Sequence, residues 1–67
     1  MAKISLQAAR ISAGFTQEEL AQKMEVSRKT LAGWESGKTD MKLAYLVLFC
    51  ELTGFNRDEI FLPHEYA

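Results

Sequence analysis

The chain of 67 residues has one cysteine, one histidine and one proline, and each scarcity excludes a class of structure. Cys50 has no partner for an intrachain disulfide, so well-packed helices or a partner must stabilise so small a domain. Cys50 and His64 together supply too few ligands for a tetrahedral metal site. Pro63 follows the last apolar cluster and interrupts no earlier segment. We therefore expect a single domain, 1–67, with no metal and no cofactor.

Long apolar runs are also absent. The longest, Leu43 to Cys50, is too short to cross a bilayer and suits a buried helix. The first ten residues have neither the apolar segment nor the cleavage site of a secretory signal. A lone cysteine in such a chain is typical of a reducing compartment. We expect a cytoplasmic protein that does not associate with membranes.

The net charge of −1 argues weakly against nucleic acid when it is taken alone. The charges are unevenly distributed, however. Residues 1–42 carry seven Lys or Arg against five Asp or Glu, whereas residues 43–67 carry one against four. A protein meets phosphates with a basic face and not with a basic total. Any such face is therefore expected in the first two-thirds of the chain.

Capping residues and glycines divide the chain into short helices. Ser5, Thr16, Ser27, Asp40 and Asn56 are candidate N-caps, and Gly14, Gly37 and Gly54 are candidate stops. No segment alternates apolar and polar residues as a strand does. We predict an all-α bundle of five helices: Leu6–Ala13, Thr16–Met24, Ser27–Ser36, Asp40–Thr53 and Asn56–Phe61.

The second and third predicted helices are separated by only Glu25, Val26 and Ser27. Helices joined so tightly cross at a large angle, as in a helix-turn-helix of about residues 17–36. Ala21 is a small residue at the point where the two helices meet, so their backbones can approach closely. Val26 is an apolar plug, a side chain in the turn that we expect to pack against the core. Leu31 and Trp34 lie on one face of the third helix and are expected in the core.

The opposite face of the third helix is basic at its N-terminal end and small elsewhere. At 100° per residue it carries Lys29, Ala32, Gly33 and Ser36, with Arg28 on its flank and Thr30 at its border. Such a face fits the major groove of DNA, where Arg and Lys contact guanine O6 and N7. An ordinary pair of helices with a solvated outer face is the alternative. The short turn, the plug and the small basic face together favour DNA binding.

Three motifs together resemble the lambda-repressor-like, Cro/XRE-type helix-turn-helix family. They are Thr-Gln-Glu-Glu-Leu-Ala from Thr16, Val-Ser-Arg from Val26, and Trp-Glu-Ser-Gly-Lys from Trp34. The resemblance extends from Ile4 to Leu62. It implies double-stranded operator DNA as the partner, and it implies DNA contacts for Gln17, Ser27, Arg28, Lys29, Thr30, Gly33 and Lys38.

Two positions depart from the family pattern. Glu25 stands where the family has a left-handed glycine in the turn, and this conformation costs a non-glycine residue about 1–2 kcal/mol. Gly33 stands where the family has a polar side chain that reads a base. Glycine there removes one base contact and lowers helix propensity by about 1 kcal/mol relative to alanine. It can instead allow close approach of the backbone to DNA.

Arg10 shares a helical face with Leu6 and Ala9 and therefore points inward. A buried arginine requires an acidic partner, and Glu35 on the edge of the third helix is the expected one. The family pattern agrees with this pair.

The fourth predicted helix is apolar almost all round, so we expect it to be covered on more than one side. We predict that Leu43, Leu46, Val47 and Cys50 lie in the core. A second stripe then remains for a partner, and it consists of Met41, Tyr45, Leu48 and Leu52. A second copy of the chain is the simplest partner, and such a dimer would bind a palindromic operator. The alternative is that the tail, Leu62 to Ala67, folds back over this stripe.

The residue pairs that mark an enzyme are missing from the sequence. Glu18 and Glu19 are first-turn acids that the helix dipole favours, and no base accompanies Cys50. We predict no enzymatic activity and no small-molecule ligand. The leading hypothesis is a repressor or Cro-like regulator. The alternative is an antitoxin-like or anti-repressor module on the same scaffold, which would bind a protein through the fourth helix.

Overall fold

Four helices form most of residues 3–62, which are the residues described by the computed structural model. In chain order the elements are β1 (Ile4–Ser5), α1 (Leu6–Ser12), α2 (Gln17–Met24), α3 (Arg28–Ser36), α4 (Leu43–Thr53), a 3₁₀ turn (Arg57–Glu59) and β2 (Ile60–Phe61). None of the helices within 3–62 has the length and apolar character to cross a membrane. The tail that we expected as an alternative cover for the second stripe of the fourth helix lies, beyond Leu62, outside the described residues. His64 and Tyr66 belong to this part of the chain.

The first three helices begin at hydroxyl N-caps, as predicted. Ser5, Thr16 and Ser27 each accept a hydrogen bond from the backbone N–H three residues later, at 3.0–3.1 Å. At Thr16 the capping box is complete, because the Thr16 N–H donates to Glu19 Oε1 at 2.9 Å. This bond holds the pKa of the Glu19 carboxyl below its usual value. The starts of these helices are therefore determined by local sequence.

The same three helices end in one hydrogen-bonded arrangement, the Schellman motif. Its left-handed residue is Gly14 after α1, Glu25 after α2 and Gly37 after α3. After α2 the Val26 N–H donates to Ala21 O at 3.0 Å and the Glu25 N–H donates to Gln22 O at 3.1 Å. Glu25 adopts φ 59° and ψ 39° and is the only non-glycine residue with positive φ within residues 3–62. The turn thus keeps the geometry of the motif without its usual glycine.

The predicted fifth helix and the predicted absence of strands are both wrong. Glu59 Oε1 accepts from the Asn56 N–H at 2.7 Å, but the helical turn that follows has only three residues. Ile60 then extends, and β2 pairs in parallel with β1, Ile4 opposite Ile60 and Ser5 opposite Phe61. Ile60 is 1% exposed. Burial of its side chain in the core favours an extended backbone at this residue over another helical turn.

The fourth helix also differs from the prediction at its start. It begins at Leu43 with Lys42 as N-cap and without a side-chain cap, so the prediction of Asp40 as the capping residue is wrong. Met41, which precedes the helix, is only 3% exposed. Burial of Met41 brings the connection from α3 back against the core before the helix begins.

The prediction for the two stripes of α4 is wrong at Leu43, Val47 and Met41. Leu46 is buried as expected, but Leu43 and Val47 are each 48% exposed and Cys50 is half-buried. Of the predicted partner surface, Met41 is in the core, and Tyr45, Leu48 and Leu52 pack partly buried against it. The core face of α4 is centred on Phe49, which is fully buried. The ring centroids of Trp34 and Tyr45 lie 5.1 Å apart. The exposed apolar side of α4 is therefore the side of Leu43 and Val47.

An ion pair joins α1 to α3 through the core, as predicted. Arg10 Nε donates to Glu35 Oε2 at 2.7 Å and Arg10 Nη2 donates to Glu35 Oε1 at 3.3 Å. The two side chains are 8% and 5% exposed. Arg10 Nη1 also donates to the carbonyl of Phe15, at 2.9 Å. The pair therefore fixes α3 to both α1 and the connection that follows it.

We predict that Glu25→Gly raises the free energy of unfolding by about 0.5–1 kcal/mol. Glycine removes the strain of the left-handed conformation, which stabilises the folded state by about 1–2 kcal/mol. Glycine also gives the unfolded chain more conformational freedom, which lowers the free energy of unfolding by about 0.4–1 kcal/mol. The melting temperature should rise by about 2–8 °C. Glu25→Ala is the control, because it removes the exposed carboxylate but keeps a Cβ in the left-handed region. An equal gain in both variants would contradict backbone strain as the cause.

We predict that Arg10→Met lowers the free energy of unfolding by about 3–5 kcal/mol, because it leaves the Glu35 carboxylate buried without its cation. Urea denaturation measures this loss, and complete unfolding at 25 °C agrees with it. The double variant Arg10→Met, Glu35→Leu removes both charges and should recover a large part of the stability. A loss below about 1 kcal/mol in Arg10→Met would show that the pair contributes little to the folded state.

Candidate nucleic-acid interface

The helix-turn-helix is formed by α2, the turn Glu25–Ser27 and α3. Leu20, Ala21 and Met24 of α2 are each at most 2% exposed, and they share the core with Leu31 and Trp34 of α3. Val26 is half-buried against the same core. These contacts set the side of α3 that faces inward. The opposite side of α3 can contact a ligand only at residues that other segments of the chain do not cover.

The first turn of α3 is open and carries two cations. Arg28 and Lys29 are exposed, and so are Ser27 and Thr30 beside them. This turn is also the positive end of the helix dipole, with backbone N–H groups pointing outward. The arrangement suits an anionic or electronegative ligand such as a DNA phosphate or a guanine edge.

Ser27 and Thr30 are engaged in capping the helix. The Thr30 N–H donates to Ser27 Oγ at 3.1 Å, and the two hydroxyls lie 2.8 Å apart in a second hydrogen bond. Both side chains remain exposed, so each keeps some hydrogen-bonding capacity toward a ligand. Their first role in the free protein is to fix the direction of α3.

Gln17 connects the buried ion pair to the exposed cations. Its Nε2 donates to Glu35 Oε1 at 2.9 Å, and its Oε1 accepts from Arg28 Nη1 at 3.4 Å. A continuous chain of polar contacts thus runs from Arg10 through Glu35 and Gln17 to Arg28. In the free protein the Gln17 amide positions Arg28. Spacing in the sequence did not reveal this role, because Gln17 and Arg28 are on different helices.

Gly33 lies on the outer side of α3 but is not fully open. It is partly covered by the loop after the helix, and a Cβ built on it would lie 2.9 Å from Thr39 Oγ1. The Gly33 carbonyl accepts from the N–H groups of Lys38 at 3.0 Å and Thr39 at 3.3 Å. The open face predicted for α3 is therefore present at Lys29 and Ser36 and interrupted at Ala32 and Gly33, which are both half-buried. Sequence reasoning did not identify Thr39.

Lys38 extends the basic side beyond the end of α3. Its side chain is exposed, and its backbone is fixed by the bond to Gly33 O and by a longer one, at 3.4 Å, to Ser36 Oγ. Lys38 and the α3 cations Arg28 and Lys29 therefore flank the two ends of one helix.

Other chemistry is sparse in the part of the chain that the structure covers. Residues 3–62 contain no group of three His, Cys, Asp or Glu side chains that could hold a metal ion. Cys50 is a free, half-buried thiol, and burial raises its pKa. A raised pKa leaves less thiolate at neutral pH, which makes Cys50 a poor nucleophile.

Comparison with known proteins agrees with this geometry. The chain matches a family model described as Helix-turn-helix over residues 6–60, which include all four helices and the 3₁₀ turn. The comparisons with curated proteins and with solved structures give no match. The match covers most of the chain, and the resemblance that the three motifs indicated is confirmed. The chain belongs to the Cro/XRE-type helix-turn-helix family of DNA-binding regulators.

Proposed function

We propose that the chain is a transcriptional repressor or Cro-like regulator that reads an operator with α3 in the major groove. One observation supports this most: the first turn of α3 presents Arg28 and Lys29 to solvent while Leu31 and Trp34 hold the other side in the core. Family membership supports DNA as the ligand. A helix with one cationic exposed side and one buried side meets the steric and electrostatic requirements of the groove.

Affinity and selectivity come from different residues in this proposal. Lys38, beyond the helix end, meets a phosphate and contributes equally on every sequence. Arg28, positioned by Gln17, reaches a guanine edge beside Lys29 and contributes on the operator only. Because phosphate contacts release counterions, binding weakens steeply as salt rises.

We further propose that the regulator binds a palindromic operator as a homodimer. Leu43 and Val47 lie one turn apart on α4 and are each 48% exposed, and they form the outer apolar surface of that helix. A two-fold axis would place this surface against its copy. Binding to a palindromic operator requires the two α3 helices of such a dimer to lie roughly 34–36 Å apart, one turn of DNA. This interface replaces the one predicted at Met41, Tyr45, Leu48 and Leu52, which pack toward the core.

The same apolar surface supports a second candidate function, an antitoxin-like or anti-repressor module. In that case Leu43 and Val47 bind a different protein. A gel shift against a pool of random duplexes separates the two candidates. Salt-sensitive enrichment of a palindrome supports the regulator, whereas no binding at low salt supports the interaction module.

We predict that Arg28→Ala weakens binding to the selected operator by about 1–3 kcal/mol and changes binding to random DNA little. Lys38→Ala is the matched comparison. It should weaken binding to both DNAs equally and reduce the slope of log K against log salt by about one. Titrations at several salt concentrations give all these quantities. Equal losses on both DNAs in Arg28→Ala would assign Arg28 to a phosphate.

We predict that Val47→Glu converts the dimer to a monomer at micromolar concentration, because two buried carboxylates would face each other across the axis. Sedimentation velocity measures the change. Ile11→Glu is the control, since Ile11 is an aliphatic residue that is 58% exposed on a different helix, α1. A wild-type chain that sediments as a monomer, or the same effect in both variants, would contradict this interface.

A further inference from the structure

We propose that Thr39 contacts the base pair that a side chain at position 33 would otherwise read, because Gly33 has none. The surface that determines specificity then consists of the first turn of α3 and the loop after it. This assignment rests on the proposed function, since it presupposes that α3 enters the groove. It concerns a residue outside the helix-turn-helix itself. The observation behind it is the packing of Thr39 on the outer side of α3.

The side chain of Thr39 occupies the space that a side chain on residue 33 would need. A Cβ on Gly33 would lie 2.9 Å from Thr39 Oγ1, 3.9 Å from its Cγ2 and 4.0 Å from its Cβ. The first distance is shorter than two such atoms tolerate. A side chain on residue 33 would therefore require Thr39 to shift.

Hydrogen bonds fix Thr39 to the helix. The N–H groups of Lys38 and Thr39 both donate to Gly33 O, at 3.0 and 3.3 Å. Gly37, with φ 80°, permits the reversal of the chain that brings this loop back. The loop thus meets a ligand already ordered, which lowers the entropic cost of binding.

Thr39 continues the exposed row that begins with Lys29. Residues 29 and 33 are four apart and share one helix face, so the position above Gly33 is about 6 Å from Lys29 along the axis. At a rise of about 3.4 Å per base pair, the two side chains are within two base pairs of each other. Thr39 is exposed, and its side chain offers a hydroxyl for base-edge polar atoms and a methyl group for the thymine methyl.

Selection of bound duplexes from a random pool tests the assignment in the full chain. Wild type, Thr39→Ala and Gly33→Ala are selected in parallel, with Lys29→Ala to locate the neighbouring position and Lys38→Ala as the control for phosphate contact. We expect Thr39→Ala to reduce the preference at one position per half-site by about 5-fold or more, within two base pairs of the position that Lys29→Ala alters. Gly33→Ala should alter that same position, because its methyl group displaces Thr39.

Two further variants test the hydroxyl and the methyl group of Thr39 separately. Thr39→Ser retains the hydroxyl and Thr39→Val retains the methyl group with nearly the same shape. We expect one of the two to keep the wild-type preference and the other to lose it. Circular dichroism melts of all variants check that the fold is unchanged, as expected for an exposed residue.

The outcomes distinguish this assignment from the proposed function. If wild type selects a sequence and Thr39→Ala selects it with equal preference at every position, Thr39 is not a reader and the assignment fails alone. A uniform loss on all sequences, like that of Lys38→Ala, would place Thr39 on a phosphate and also overturn it. If wild type selects no sequence, the proposed function and this assignment both fail.

Discussion

The buried ion pair between Arg10 and Glu35, together with the apolar contacts of Leu31 and Trp34, fixes the orientation of α3. Its oxygens and nitrogens also engage the Phe15 carbonyl and the Gln17 amide, so one cluster joins α1, the connection after it, α2 and α3. Burying two charges costs desolvation energy that the attraction between them only partly repays. We infer that the pair chiefly contributes orientation. In this orientation Leu31 and Trp34 lie in the core, and Arg28 and Lys29 lie in solvent.

Features that depend on neighbours in the chain were predictable from the sequence. Three hydroxyl caps, the capping box at Thr16 and the left-handed position of Glu25 involve contacts within five residues, and the structure has all of them. The Arg10–Glu35 pair was predictable because an inward arginine requires an acid. The strand pair was not, since Ile4 and Ile60 are far apart in sequence and two residues are too few to show alternation.

The exposed side of α4 was missed for a different reason. The helix has apolar residues on every side, so periodicity alone does not distinguish core from surface. Glu51 lies four residues after Val47 and shares its side of the helix, and both are exposed. This one charged residue was the available signal. Glu51 indicates that Val47 faces outward, and Tyr45, Leu48 and Leu52 pack against the core.

The two departures from the family pattern have different consequences. At Glu25 the Schellman bonds form with a glutamate in the left-handed region, so the backbone path is kept and only strain is added. At Gly33 the missing side chain leaves a space, and Thr39 fills it from the loop. A reader on a loop depends on the hydrogen bonds that hold that loop, here those of the Lys38 and Thr39 N–H groups to the Gly33 carbonyl. Selectivity at that position would then depend on the C-terminal end of α3 as much as on its exposed face.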